Sequence, residues 1–353
     1  MYIDAVKTHS PRQKASLRKK FRWSEFLSEK IITLVSFVSF AFIILIFVFV
    51  FREALPIFSF SDKPAAIQNT EVQETYGDDS PSSKTSTGTG SRENAAGADG
   101  SPTLSNFAGK EWQPISLHPK YGLFPLFWGS MKVSLIAVMI AGPLAILAAL
   151  FTASFAPRWA KEILKPSIEL LAGFPSVVIG FFALIVLASW SQNFFGYQYR
   201  LNAFVGGAAL SIAVIPIIYT IAEDALTTVP KAYTEASLAM GATKWQTALL
   251  VVLPAATPGV FAAVLLGVGR AFGETMIVLM ATGNAPFMSL NPFEPIRTMS
   301  ATIGAEMAEV VFGETHYNVL FLIGALLFVF TFALNAVAEF YIRQKLLKRF
   351  SGG

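Results

Sequence analysis

Long apolar blocks separated by polar intervals run along this chain. The first block, Ile31–Phe51, carries no charge. At about 1.5 Å per residue it is long enough to cross the hydrocarbon core of a bilayer. Five further blocks follow: Phe124–Phe155, Ile168–Trp190, Ala203–Ile221, Ala256–Thr282 and Val319–Tyr341. The pattern predicts an all-α polytopic membrane protein with six transmembrane helices, the first at residues 31–52.

The polar interval at residues 53–120 differs in composition from everything around it. Its middle reads SPSSKTSTGTGSRENAAGADGSPT, with almost no bulky apolar side chain. Such a segment buries too little surface to offset the entropy lost on ordering. We therefore expect a largely disordered periplasmic linker at 53–120, followed by a five-helix core at 121–349.

Basic residues flank the apolar blocks asymmetrically. Residues 1–30 hold eight lysines or arginines against three acidic residues. By the positive-inside rule, residues 1–30 form a basic cytoplasmic N-terminus, and six crossings return the C-terminus to the cytoplasm. The same topology places a further set of basic residues in the cytoplasm: Arg158, Lys161, Lys165, Lys231, Lys244, Arg343, Lys345, Lys348 and Arg349.

The overall composition agrees with a membrane protein and excludes several other classes. Only 14% of the residues are charged, against about 25% in soluble domains. The chain has no cysteine, which excludes a disulfide framework and thiolate metal sites. Its three histidines are isolated in sequence and predict no metal site. The basic pI of about 9.1 reflects residues beside apolar blocks, so membrane orientation explains it better than nucleic-acid binding.

A polar stretch between the fourth and fifth blocks, residues 233–254, reads YTEASLAMGATKWQTALLVVLP. Gly241 suits the position just past a helix end, where the backbone takes a positive φ. Thr243 and Gln246 have the spacing of a capping box that begins a second helix. We expect two short helices with a glycine corner in a loop at about 225–252. The first helix offers a face of small residues for close approach of another chain: Ala232, Ala236 and Ala239.

This stretch resembles the EAA loop of ABC-transporter permeases, E-A-A, three residues, G, nine residues, I-x-L-P. Residues 235–237 read Glu-Ala-Ser and residues 251–254 read Val-Val-Leu-Pro, so serine replaces one alanine and valine replaces isoleucine. In that family the loop is cytoplasmic and docks on the ATP-hydrolysing subunit. The resemblance implies that four residues couple this chain to an ATPase: Glu235, Ala236, Ser237 and Gly241.

Arg270 and Glu274 are the only charged residues between Lys244 and Glu294. Counted from Ala256, Arg270 lies about 20 Å along a helix, near mid-membrane, where ionisable residues are functional by default. Spacing of four would place both side chains on one helix face. A structural ion pair is one interpretation. An anion pathway is the other, because arginine offers fixed, multidentate donors that match phosphate oxygens.

The segment GRAFGETMIVLMATGN, residues 269–284, resembles the corresponding segment of the PstC family of permease subunits in phosphate ABC importers. Two further segments agree, LLAGFPSVVIGFFAL at 170–184 and PIRTMSATIGAEMAEVVFG at 295–313. The resemblance spans about residues 121–349. The related PstA family typically has Ala-Pro where this chain has Met276-Ile277. By this resemblance the fold is a type I ABC importer permease core, and Arg270 and Glu274 serve phosphate passage.

The resemblance also implies a set of partners. They are a PstA-like permease in a heterodimer, two copies of a P-loop ATPase subunit and a periplasmic phosphate-binding protein in a bacterial inner membrane. The chain lacks the sequence G-x-x-x-x-G-K-[ST], so we expect no cofactor on it and place ATP and magnesium on the ATPase. We expect no nucleic acid and no catalytic or metal-ligating residue.

Three other functions remain open at this point. A permease for another oxyanion, molybdate or sulfate, shares the EAA loop. A membrane enzyme with Glu274 as a base needs a second catalytic group at the same depth. A structural membrane subunit requires the EAA pattern to be accidental. We also expect Glu306, Glu309 and Glu314, in the last external loop, to be solvated acids, with contact to the binding protein as the alternative.

Overall fold

The computed structural model describes residues 23–59, 107–116 and 119–350. The predicted N-terminal region at 1–30 and linker at 53–120 therefore lie largely outside the described residues. The described residues divide into two units, one up to residue 49 and one from residue 50. Helix α1 (Trp23–Ala54) accounts for the described part of the first unit and extends into the second.

Where the structure describes the second unit, its regular elements are helices and one short pair of strands. Strand β1 (Trp112–Gln113) pairs antiparallel with β2 (Lys120–Tyr121). Two π-helical segments, at 183–187 and 248–252, join α5 to α6 and α9 to α10. The described helices of this unit are α2 (Pro56–Ser59), α3 (Phe124–Ser154), α4 (Arg158–Ala172), α5 (Ser176–Phe182), α6 (Ala188–Phe195), α7 (Ala203–Thr227), α8 (Lys231–Ala239), α9 (Lys244–Thr247), α10 (Leu253–Gly273), α11 (Met276–Ala281), α12 (Met299–Glu306) and α13 (Thr315–Phe350).

Six helical stretches within the described residues are long and apolar enough to cross a membrane. This confirms the predicted all-α fold and the number of predicted transmembrane segments. The stretches are Leu27–Ala54, Phe124–Ser154, Ser176–Phe195, Ala203–Thr227, Lys244–Gly273 and Thr315–Phe340.

Two of the predicted segments begin more than four residues from their predicted start. The segment predicted at Ile168–Trp190 begins only at Ser176, because Pro175 lacks an N–H group and disfavours helical angles at the residue before it. The segment predicted at Ala256–Thr282 begins earlier, at Lys244, since the capped start of α9 runs through the π-helical segment into α10. It also ends earlier, at Gly273.

Helices α3, α7 and α10 pack through small side chains. Gly207 on α7 lies so close to Ile136 that an added Cβ would be 2.5 Å from its Cγ2 atom. A Cβ added to Gly267 on α10 would likewise lie 2.6 Å from Cγ1 of Ile218 on α7. Small residues permit this close approach, as they do generally in membrane helix bundles. On α3 the fully buried alanines recur every fourth residue: Ala137, Ala141, Ala145 and Ala149.

Glu306, the last residue of α12, is the centre of a buried polar cluster. Arg297 donates from Nη1 to Oε1 at 2.5 Å, and Trp112 donates from Nε1 to the same oxygen at 3.1 Å. His316 Nε2 lies 2.9 Å from Oε2. The expectation that Glu306 is a solvated acid is therefore wrong. We term Trp112, Arg297, Glu306 and His316 the Glu306 cluster, which joins β1, the loop before α12, α12 and the start of α13.

Replacing Glu306 with glutamine is expected to destabilise the fold at neutral pH by about 1–3 kcal/mol, because Arg297 loses the negative charge of its buried partner. Burial raises the pKa of Glu306, but hydrogen bonds from His316 and Trp112 and the charge of Arg297 outweigh burial and lower the pKa below its ordinary 4.5. Because the pKa of Glu306 is lower in the folded chain, the carboxylate stabilises the fold at pH values above its ordinary pKa. This stabilisation is lost as the pH falls through the lowered pKa.

Unfolding in detergent, followed across pH, measures this effect. The difference between parent and Glu306→Gln should shrink as the pH falls below 4.5, the ordinary pKa of the carboxyl. Glu309→Gln is the matched control, because Glu309 is exposed in the same loop, and it should unfold like the parent. A difference that grows in acid would contradict the assignment.

Candidate functional site

The two charged residues predicted for the pathway lie where α10 ends. Arg270 is in the last turn, and Gly273 is the final helical residue. Glu274 has extended backbone angles, φ −72° and ψ 132°. Its carbonyl oxygen accepts a hydrogen bond from Ser300 Oγ at 2.6 Å. Because glycine is a poor helix former and this carbonyl has a partner outside the helix, the chain leaves the helix here. We term residues 274–275 the Glu274 turn.

The prediction that Arg270 and Glu274 share one helix face is wrong, because the helix ends at Gly273. The Arg270 side chain is exposed and Glu274 is half-buried. Among the described residues, neither side chain has a hydrogen-bond or ion-pair partner. The guanidinium and the carboxylate are therefore both available to other groups. The mid-membrane depth of Arg270 stays a prediction, since the helix already begins at Lys244.

The three glycines around Arg270 have different surroundings. A Cβ added to Gly267 would meet Ile218 of α7, and one added to Gly269 would lie 3.0 Å from Asn335 Oδ1 of α13. At Gly273, nothing lies within 4 Å of the added Cβ. Two of the glycines therefore serve helix packing, and only Gly273 borders open space.

The predicted glycine corner between two short helices is confirmed. Gly241 has φ +86° and follows α8 closely. Thr243 and Gln246 form the predicted capping box, in which Gln246 N donates to Thr243 Oγ1 at 3.3 Å and Thr243 N donates to Gln246 Oε1 at 2.9 Å. The hydroxyls of Ser237 and Thr247 lie 2.9 Å apart and join α8 to α9. These contacts fix the angle between the two helices.

Helix α8 has no buried residue. Glu235 and Ala236 are exposed and Ser237 is half-buried. Glu235 also borders a cavity of about 440 Å³ that is lined by Lys161, Lys231 and Lys244 among others. The exposed apolar surface continues past the helix end, where Met240 is 88% exposed. Most of the surface of α8 is therefore exposed in this chain.

Residues of α12 that hold the Glu274 turn were not predicted from the sequence. Ser300 donates to the Glu274 carbonyl, and Met299 N donates to Ser130 Oγ of α3 at 2.9 Å. Thr298 caps α12 by accepting from Ala301 N. The cap has a sequence signal, a threonine before a helical stretch. The contact of Ser300 with Glu274 has none, because 26 residues separate the two.

Comparison with known proteins identifies the family. Residues 141–345, which contain the loop at about 225–252, Arg270 and the Glu274 turn, match the family described as binding-protein-dependent transport system inner membrane component. The chain is 39% identical over 221 residues to a probable ABC transporter permease protein, YqgH, of Bacillus subtilis, a match that covers 63% of this chain and 72% of the relative.

Relatives named phosphate transport system permease protein PstC are also similar. The one from Mesorhizobium japonicum is 33% identical over 254 residues, covering 67% of this chain and 77% of its own length. The one from Xylella fastidiosa is 32% identical over 255 residues, covering 67% and 78%. The predicted resemblance to the PstC family is confirmed. The chain is thus a multi-pass inner membrane protein of the binding-protein-dependent transport system inner membrane component family, which works with an ATPase and a periplasmic binding protein.

Proposed function

We propose that this chain is the permease subunit of an ATP-driven importer of inorganic phosphate, and that Arg270 lines the phosphate pathway. The observation that carries the proposal is an exposed Arg270, without a partner among the described residues, in the membrane-spanning stretch Lys244–Gly273. Arg270 is in the last turn of this stretch, and at the mid-membrane depth that the sequence predicts, an arginine costs about 2.5–3.5 kcal/mol on insertion scales. Such a side chain therefore faces a protein partner or a water-filled path, not lipid.

The chemistry beside Arg270 suits phosphate. The planar guanidinium donates two parallel hydrogen bonds to a phosphate, and Gly273 leaves open space next to it. Glu274 has a carboxylate without a partner among the described residues. That carboxylate accepts a hydrogen bond from a protonated phosphate, whereas it repels a fully deprotonated sulfate, which has no hydrogen to donate. Arg270 would thus attract the anion, and Glu274 would favour an anion that carries a proton over one that does not.

The relatives named PstC support phosphate as the transported anion. No observation favours the alternative of a molybdate or sulfate permease. A membrane enzyme and a purely structural subunit are also not supported, because the chain belongs to a transport family. ATP hydrolysis is therefore the work of a separate subunit, on which we place ATP and magnesium.

The coupling surface is assigned to α8 and its glycine corner. Glu235, Ala236 and Ser237 lie on a helix that has no buried residue. Gly241 sets the direction in which the chain leaves α8. In this proposal, the ATPase subunit binds α8. When α8 moves, the contact between the Ser237 and Thr247 hydroxyls moves α9 with it, and α9 continues into α10.

The complete complex follows from the same proposal. A PstA-like permease covers the membrane face that exposes Arg270, and the pair is served by two copies of the ATPase subunit. A periplasmic phosphate-binding protein delivers the anion. Both termini lie in the cytoplasm, on the side of the coupling loop, as the basic flanks predict.

Uptake by reconstituted complexes tests the assigned substrate. Proteoliposomes that contain the complete complex and internal ATP should accumulate radiolabelled phosphate when the binding protein is added outside. An excess of unlabelled phosphate should abolish the accumulation, and the same excess of sulfate or molybdate should leave it unchanged. Accumulation of labelled sulfate or molybdate in place of phosphate would contradict the proposal.

A further inference from the structure

We propose that Glu306 is a positioning residue for the pathway, because the Glu306 cluster holds α12, and α12 holds the Glu274 turn. The claim that this positioning matters for transport rests on the proposed function. Its structural part is independent of which anion passes. Glu306 touches neither Arg270 nor Glu274 through any hydrogen bond or ion pair in the described residues.

Hydrogen bonds and an ion pair to the Glu306 carboxylate fix the C-terminal end of α12. Glu306 is buried, and three donors from three other parts of the chain converge on its two oxygens. Arg297 is further fixed, because its Nε donates to Asn284 Oδ1 at 3.0 Å. Tyr121 packs against the rings of Trp112 and His316, at 5.9 and 6.2 Å between ring centroids. Because three side chains hydrogen-bond to it, the Glu306 carboxylate has a fixed position.

The N-terminal end of α12 is held on α3 and on the Glu274 turn. Met299 N donates to Ser130 Oγ of α3 at 2.9 Å. Ser300 Oγ donates to the Glu274 carbonyl at 2.6 Å. One turn further along, a Cβ added to Gly304 would lie 2.6 Å from Thr275 Cγ2. The helix therefore contacts both residues of the Glu274 turn.

Helix α12 has eight residues and is about 12 Å long, so it moves as one rigid element. Loosening of its C-terminal end at Glu306 releases the face that carries Ser300 and Gly304. The Glu274 turn then loses the hydrogen bond that draws its carbonyl out of helical geometry. In this way a residue that does not touch the anion sets the position of one that does.

A single thiol at the Glu274 turn measures this directly. The chain has no cysteine, so Thr275→Cys introduces a unique reactive group under α12. The rate of its modification by N-ethylmaleimide is measured in the assembled complex, alone and combined with Glu306→Gln. We expect the second change to raise the rate about tenfold, which corresponds to about 1.4 kcal/mol. Glu309→Gln, in the same loop and exposed, should leave the rate unchanged.

A milder variant covers the case in which Glu306→Gln fails to assemble. Trp112→Phe keeps an aromatic ring but removes the N–H that Glu306 Oε1 accepts at 3.1 Å, together with part of the buried ring, and it should raise the rate to a smaller extent. An unchanged rate in the assembled variants, or an equal rise with Glu309→Gln, would overturn the inference. Neither the expected result nor the result that would overturn the inference depends on phosphate uptake. An error in the proposed function would instead appear as normal uptake by Arg270 variants.

Discussion

Replacing Arg270 with methionine is expected to reduce phosphate uptake about a hundredfold in membranes where the complex still assembles. The anion loses a bidentate charged partner, and losses of this kind amount to about 2–5 kcal/mol. Assembly should survive, because Arg270 has no hydrogen bond or ion pair in the described chain that its removal would break. Arg270→Lys should recover only part of the uptake, since lysine keeps the charge without the planar fork.

The measurement is radiolabelled phosphate uptake, normalised to the amount of ATPase subunit that copurifies with each variant. Asn335→Ala is a suitable control for packing of α13 against α10, because a Cβ added to Gly269 would lie 3.0 Å from Asn335 Oδ1. It should retain most of the parental uptake. Equal uptake by the lysine, methionine and parental chains would remove Arg270 from the pathway.

Gly241→Val is expected to abolish the ATPase activity that the substrate-loaded binding protein stimulates, while the chain still inserts. Gly241 has φ +86°, a conformation that a β-branched residue rarely adopts. Strain of about 1–3 kcal/mol would be relieved by a change in the exit direction from α8. Because Ser237 and Thr247 join α8 to α9, a tilted α8 would present Glu235 and Ala236 wrongly to the ATPase.

Gly196→Val is the matched control for this change. Gly196 has φ +70°, and like Gly241 it has open space where a Cβ would lie. It follows α6, far along the chain from the coupling loop. The control carries similar backbone strain and should retain stimulated ATPase activity. Loss of stimulation in both variants would indicate general destabilisation, and full stimulation in Gly241→Val would refute the coupling assignment.

The helical corner at Gly241 was predictable because its determinants are local. The positive φ follows from a glycine past a helix end, and the capping box follows from Thr243 and Gln246, three residues apart. The number of membrane-spanning stretches was predictable for a similar reason, since length and apolar composition decide it.

The break after Gly273 and the burial of Glu306 were not predictable in this way. The first depends partly on Ser300, and the second on Trp112, Arg297 and His316, none of which is a close neighbour in the sequence. A carboxylate in a polar loop is read as solvated unless its partners are known. Non-local contacts of this kind carry no periodic signal, so the local geometry around Arg270 and Glu274 needed the structure.

The most direct test of the pathway is phosphate uptake by the double variant Arg270→Met with Glu274→Met. If the two residues have only a structural role, removing both charges is tolerated, because neither side chain has a hydrogen-bond or ion-pair partner among the described residues. If Arg270 contacts the anion, the double variant assembles with the ATPase and still fails to transport. We predict uptake at background in an assembled complex. Near-normal uptake would contradict the pathway and leave a structural role for both residues.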